Sequence, residues 1–374
     1  MKVLVFELNS FHLEVLPTYP ALMPSLFGDR LDIDYFVLPA LVKRARAAIG
    51  ANVHRLNSPH LRYVLPTKPL RVGYYRWRIQ RIIDQLCPDA IVFNTVEPPP
   101  YFRVFQQLDH PLKIGIVHNP RRDGADFLSR GSVELIFCLH DYNYRSLQED
   151  GLVDGYVSPF FKFLEVPQEP TPTAHVEIVV QGVISFSRRD YAMLIDVADR
   201  LRRASPSPRV VFNILGDADI RDGPKLKRMV AERGLHDSFK FHSWLPDKEF
   251  FQALQGAHYV MPLLNPASGA YAGTSKVTNA FGHSGAYSTP LLLHRETATQ
   301  WSVPQSACVT YASPGELETV LTHGVDDYAE RASAYRTLIA GKISENHRML
   351  REIARRHPVF AAVQRRTAAK STLT

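Results

Sequence analysis

Two cations and a run of small residues offer the first chemical reading of this chain. Lys276 follows Thr274 and Ser275 in a loop that also holds Gly269 and Gly273, and the residues from Val277 to His283 are spaced as the helix that would begin there. The start of a helix leaves backbone N–H groups unpaired, and its dipole favours an anion by roughly 0.3–1 kcal/mol. Glycines let such a loop close on its ligand. A lysine in a first turn opposes the dipole unless an anion is present, so the expected ligand is a phosphate. Arg188 and Arg189, following Gly182 at the end of an apolar run, are candidates for the same anion; the alternative for both is a solvated helix start. Gly216 and Ser243 end two further apolar runs in the same way.

A second group could move protons. His118 ends the run Lys113-Ile-Gly-Ile-Val-His118, and His12 and Glu14 lie in the polar segment after the first apolar run. A histidine titrates near neutrality, and a carboxylate two residues away can tune it. Packing for His118, and a capping role for His12 and Glu14, are the competing readings. Arg121, in the loop after His118, fits either an acceptor contact or ordinary solvation. His236 and His283 lack metal-ligand spacing to acids or cysteines, so no metal and no cofactor are expected.

The elements that must carry these residues alternate. In the second half, Val176–Val183, 209–217, 239–243 and 258–262 read as strands, with helices over 191–201, 224–234 and 248–255, the last capped by Asp247. In the first half, 3–8, 33–38, 90–94, 114–118, 135–139 and 155–157 are strand candidates, with helices over 75–85 and 142–149. Alternating strands and helices predict an α/β fold with parallel sheets and ligands at the carboxyl ends of the strands.

A chain of 374 residues exceeds what one core usually supports, so two such domains are expected. The division is 1–165, a proline-rich linker at 166–174, a second domain over 175–357 closed by a long helix from about 326 to 356, and a basic tail at 358–374. Cys87, Cys138 and Cys308 are odd in number and scattered, which argues against a disulfide framework and for a reducing cytoplasm. The first residues meet an acid too early for a signal peptide, and no apolar run approaches membrane-spanning length.

Net charge is +7, and the excess is local: Tyr35 to Ile83 contains no aspartate or glutamate. Arg71 and Arg76 stand there beside Tyr74, Tyr75 and Trp77. Basic side chains near an anionic leaflet contribute about 1 kcal/mol each, and aromatic rings suit the interface. A saccharide or lipid-linked acceptor at the inner face of the cell membrane is the expected partner, a solvated basic face the alternative. No recognition motif accompanies the patch, so no nucleic acid is expected.

The chain resembles the two-Rossmann GT-B glycosyltransferases, and within them the retaining enzymes of glycosyltransferase family 4. The resemblance lies in Gly182 with Arg188 six residues on, in Phe212-Asn-Ile-Leu-Gly-Asp217, in Phe239-Lys-Phe-His-Ser-Trp-Leu245, in Ser268 to Pro290, and in the runs ending at His118 and Leu139. It implies two Rossmann-like domains facing each other across a crevice. It also implies a nucleotide sugar held through Gly182 and Arg188, a histidine at 118 touching the transferred sugar, and transfer with retention; with the charges of Arg188 and Lys276 the expected reaction is metal-independent transfer from a UDP or GDP sugar in surface polysaccharide or glycolipid biosynthesis. One departure is clear: where the family carries two glutamates separated by seven residues, this chain has Tyr271 and Asn279. Asparagine can bond a ribose hydroxyl only as a neutral partner. A non-catalytic nucleotide- or glycan-binding protein on the same fold, or a nucleotide-sugar epimerase, is the alternative function.

Overall fold

The computed structural model describes residues 1–9, 12–50, 52–56, 68–97, 99–118, 133–149, 151–167, 175–204, 210–264, 278–323 and 327–362. They form two compact units, one of Met1–Phe163 with Lys342–Thr374, the other of Leu164–Gly341.

The first unit is built on a seven-stranded, all-parallel sheet in the order β3-β2-β1-β4-β5-β6-β7. Its strands are β1 (Lys2–Glu7), β2 (Asp32–Val37), β3 (Val53–Arg55), β4 (Ala90–Phe93), β5 (Lys113–Val117), β6 (Leu135–Leu139) and β7 (Gly155–Val157). β4, β5 and β6 are buried along their whole length, as expected when helices cover both faces of a parallel sheet. Phe6 stacks on Phe36 at 5.3 Å and Phe93 on Phe105 at 4.3 Å, filling the layer between the sheet and its helices. Chain order reverses between β1 and β4, the place where parallel α/β sheets open a ligand crevice.

The second unit repeats the plan with six parallel strands in the order β10-β9-β8-β11-β12-β13. These are β8 (Val176–Gln181), β9 (Val210–Asp217), β10 (Phe239–His242), β11 (Tyr259–Val260), β12 (Leu291–His294) and β13 (Cys308–Tyr311). Ile178, Val180, Phe212 and Ile214 pack against Tyr191, Leu194 and Ile195 of the helix Tyr191–Ala204. The switch point here lies between β8 and β11. β3, β12 and β13 are additions to the strands read from sequence.

Two expectations are corrected. Asp247 is the first residue of the helix Asp247–Gly256, not its cap; Pro246 holds that position. The helix expected from Val277 begins at Asn279, where the Thr278 hydroxyl caps it by accepting from Ala280 N at 3.3 Å.

The sequence pattern places the closing helix, Tyr328–Arg356, in the second domain, whereas the structure groups its residues from Lys342 onward with the first unit. Specific polar contacts explain this. Lys342 Nζ pairs with buried Asp141 at 2.9 Å, while the Asn346 amide accepts from Ser158 N at 2.8 Å and donates to Tyr156 O at 2.7 Å. Gly155 leaves room for the same helix, since a Cβ there would lie 2.9 Å from Ile353. No helix among the described residues is long and apolar enough to cross a membrane.

Candidate functional site

In the first unit, the carboxyl ends of β1, β4 and β5 bring His12, Glu14 and His118 together. The His12 and His118 rings lie 3.9 Å apart at a 42° tilt, and Glu14 Oε1 is 3.7 Å from His12 Nδ1. Beneath them is a carboxyl that the sequence reading left without a role. Glu7, the last residue of β1, is fully buried, and among the described residues each neighbour bonded to its carboxyl donates: Asn94 Nδ2, Thr95 Oγ1 at 2.8 Å, and Asn9 N.

Asn94 is the hub of the cluster. Besides serving Glu7, its Nδ2 donates to His12 O at 3.0 Å, its Oδ1 accepts from the Tyr19 hydroxyl, and its main-chain carbonyl accepts from His118 Nε2 at 2.5 Å. Glu97 Oε2 accepts from His118 N at 3.1 Å.

These contacts set the charges. Burial pushes Glu7 up to about 7, against the pull of the Asn94, Asn9 and Thr95 donors and of His12. Burial works against the His12 cation too, but Glu14, Glu7 and Glu97 outweigh it and raise its pKa. For His118, burial and the neighbouring His12 charge act together and hold it well below the usual histidine range. The two tilted imidazoles therefore differ in proton affinity, His12 beside Glu14 favouring the cation and His118 on the Asn94 carbonyl favouring the neutral ring. That is an arrangement for acid and base work by one pair.

In the second unit, the turns after β8, β9 and β10 are laced side by side. Gly182 has a φ of +98°, and a Cβ on Gly216 would stand 2.3 Å from Gly182 O, so both positions demand glycine. Asp222 accepts from Phe186 N at 2.9 Å, and Ala218 N donates to His242 O at 2.9 Å. Ser243 donates to Asp219, whose other oxygen pairs with Lys227 at 2.7 Å.

The two arginines separate. Arg188 is exposed, whereas Arg189 is buried and donates to Gln181 O at 2.8 Å and Val183 O at 2.9 Å. Arg189, expected on the ligand side, instead holds the turn. Asn279 is exposed at the start of its helix. The same edge displays three exposed apolar side chains, Val183, Ile220 and Trp244, the last 77% exposed. Tyr271, Thr274, Ser275 and Lys276 lie outside the described residues, as does Arg121.

The basic aromatic segment forms the helix Lys68–Leu86. Arg71 belongs to it, its side chain lying outside the described residues. Tyr75 packs on the core, Arg76 donates to Gln107 at 3.4 Å, and Trp77 is 54% exposed with Tyr74 at 6.0 Å and the Arg81 guanidinium at 5.8 Å.

No protein-family profile and no curated protein matches the sequence. Solved structures do match. A glycosyltransferase from Rickettsia africae aligns with a TM-score of 0.62 at 10% identity, over 97% of this chain and 98% of that one. A sucrose-phosphate synthase from Thermosynechococcus elongatus gives 0.60 at 12% identity, over 97% and 100%. The Anabaena protein HepE, solved in complex with UDP, gives 0.56 at 12%, over 94% and 99%.

The fold is GT-B. At these identities the fold is what is shared, and the GT-B frame explains why both clusters sit at carboxyl strand ends beside switch points. Glu7, Asn94, Thr95, Tyr19 and Glu97 are the residues that sequence reading did not assign. One signal was available: Glu7 closes the apolar run Val3-Leu-Val-Phe6, a place where an acid must be bonded or shifted.

Proposed function

We propose that this chain is a glycosyltransferase. It takes a sugar from a UDP or GDP sugar and passes it to a saccharide or lipid-linked glycan, with retention of configuration and with fixed cations in place of a metal. The supporting observation is the correspondence, over nearly the whole of both chains, with the Rickettsia africae glycosyltransferase, joined by HepE in its UDP complex. Within that frame the turns after β8 to β10 serve the nucleotide. Arg188 and Lys276 offset the charge that develops on the departing diphosphate, Gly182 and Gly216 allow close backbone approach, and Asn279 meets the ribose. His118, His12 and Glu14 of the first unit serve the sugar hydroxyls and their protons. The exposed Trp77 with Arg76 and Arg81 supplies an acceptor surface suited to an anionic membrane face and so to surface polysaccharide or glycolipid synthesis.

The test is thermal unfolding of the purified chain with UDP, GDP, ADP and CMP and their sugar conjugates, since ligand at a hundredfold its Kd adds roughly 2.7 kcal/mol. Stabilisation by one nucleoside diphosphate, lost in Lys276→Ala, is the expected result. Interconversion of the nucleotide sugar without any acceptor would point to an epimerase, and no response to any nucleotide to a non-catalytic protein.

A further inference from the structure

The bonds around Glu7 fix more than a buried charge. Once ionised, above about pH 7, the Glu7 carboxylate only accepts, so the three donors that meet it must turn their hydrogens toward it. For the Asn94 amide this settles orientation: Nδ2 faces Glu7 and His12 O, and Oδ1 faces the Tyr19 hydroxyl. With that side chain pinned, the Asn94 carbonyl meets His118 Nε2 at 2.5 Å, and a carbonyl can only accept, so Nε2 carries the hydrogen.

Thr95 reinforces the assignment. Its hydroxyl has one hydrogen, given to Glu7, so the oxygen 3.4 Å from His118 Nε2 presents lone pairs alone. Remove the acceptor at Glu7 and that hydrogen is released to compete for Nε2, which would favour the opposite tautomer. Asn94 also ties the His12 carbonyl to the same frame, so the 3.9 Å approach of the two rings depends on it.

We propose that Glu7 is a positioning residue: acting through Asn94 and Thr95, it holds His118 as the Nε2–H tautomer and so makes Nδ1 the acceptor nitrogen of the ring, suited to a sugar hydroxyl. Its effect on turnover rests on the glycosyltransferase reading; its effect on the tautomer does not.

The experiment is two-bond proton–nitrogen correlation NMR on the full-length, histidine-labelled chain at about pH 8, where Glu7 is ionised, with kcat and KM measured in parallel. Wild type is expected to show His118 as Nε2–H, and a Nδ1–H ring there overturns the proposal whatever the variants do. Glu7→Leu should bring in the Nδ1–H tautomer and lower kcat about 10- to 100-fold, the scale of a displaced catalytic group, with KM for the nucleotide sugar unchanged. Glu7→Leu combined with Thr95→Val, which leaves no hydroxyl hydrogen to donate, should restore Nε2–H. An unchanged His118 tautomer in Glu7→Leu also overturns the proposal. A tautomer that changes as expected in a protein that transfers no sugar would sink the glycosyltransferase reading and leave the positioning role standing.

Discussion

The His12 and His118 rings lie 3.9 Å apart, yet their environments drive their proton affinities in opposite directions: the first is raised by Glu14, Glu7 and Glu97 against burial, the second lowered by burial and by the first. Two adjacent imidazoles rarely both hold a proton, and here the carboxylates decide which one does. His118→Ala removes the neutral member. The expected loss is about 10²–10⁴-fold in kcat/KM for sugar transfer, the range for one acid–base group. Stabilisation by the nucleotide should persist, because the contacts proposed for it belong to the second unit.

Glu7 gives the fold a distinctive pH dependence. Burial raises it from 4.5 to about 7, so the folded state favours the protonated acid. That stability is fully present below about pH 4.5 and is lost as pH rises through about 7. A shift from 4.5 to about 7 corresponds to on the order of 3 kcal/mol at 1.36 kcal/mol per unit. His12 titrates with the same sign and His118 with the opposite one, so the comparison is with Glu7→Gln, which retains both histidines. Urea unfolding from pH 4.5 to 8 should show the difference in stability between the two proteins changing across this window and constant above it. Parallel curves would contradict the raised acid.

Lys342 is expected to matter for the first unit although its helix begins in the second. Asp141 and Lys342 are both buried, and Arg145 is the other cation on that carboxylate, at 2.7 Å. Deleting one partner of a buried pair commonly costs 3–5 kcal/mol, and with Arg145 remaining about 3 is expected for Lys342→Ala. Chemical denaturation followed by a first-unit probe such as Trp77 should move to lower denaturant.

Trp244 offers an optical test of the nucleotide side. It is 77% exposed just after Ser243, whereas Trp301 is buried and Trp77 belongs to the other unit. Stacking of a base on an aromatic ring is worth about 1–3 kcal/mol, so Trp244→Ala should weaken the nucleoside diphosphate roughly 5- to 150-fold. Titration should quench fluorescence in wild type and not in the variant. Unchanged affinity would remove Trp244 from the nucleotide site.

Much of this architecture was legible in the chain because its signals are local. Apolar runs closed by glycine, histidine or another polar residue marked most strands of both sheets, and His12, Glu14 and His118 were legible as residues near strand ends, though not as one cluster. β12 and β13 were not read because Leu291–His294 and Cys308–Tyr311 are short apolar runs without alternation, which a buried helix turn would match as well. The return of the last helix to the first unit was hidden for another reason. Lys342 meets Asp141 across 201 residues and Asn346 meets Tyr156 across 190, and no periodicity encodes such a distance. Glu7 was visible as a residue but not as a site, because its role depends on Asn94 and Thr95 being brought beside it by the pairing of β1 with β4.

Arg188 and Arg189 are adjacent in sequence and should fail in different ways. The Arg189 guanidinium is buried and donates to Gln181 O and Val183 O, and it lies where a Cβ on Gly182 would collide with it. Arg189→Ala strands two carbonyls at the end of β8 and leaves a void, and each unmet buried acceptor costs about 1–3 kcal/mol. The variant should unfold at lower temperature with or without ligand, and Lys, which cannot fork across both carbonyls, should not rescue it fully. Arg188 is exposed on the same turn, so Arg188→Ala should leave the melting temperature of the free protein unchanged. What it should lose is most of the stabilisation given by a nucleoside diphosphate, and that loss should shrink at high salt as the wild-type interaction is screened. Melting curves of both variants, each with and without UDP and at two salt concentrations, make the comparison. A destabilised Arg188→Ala, or an Arg189→Ala with wild-type stability, would reverse the two assignments.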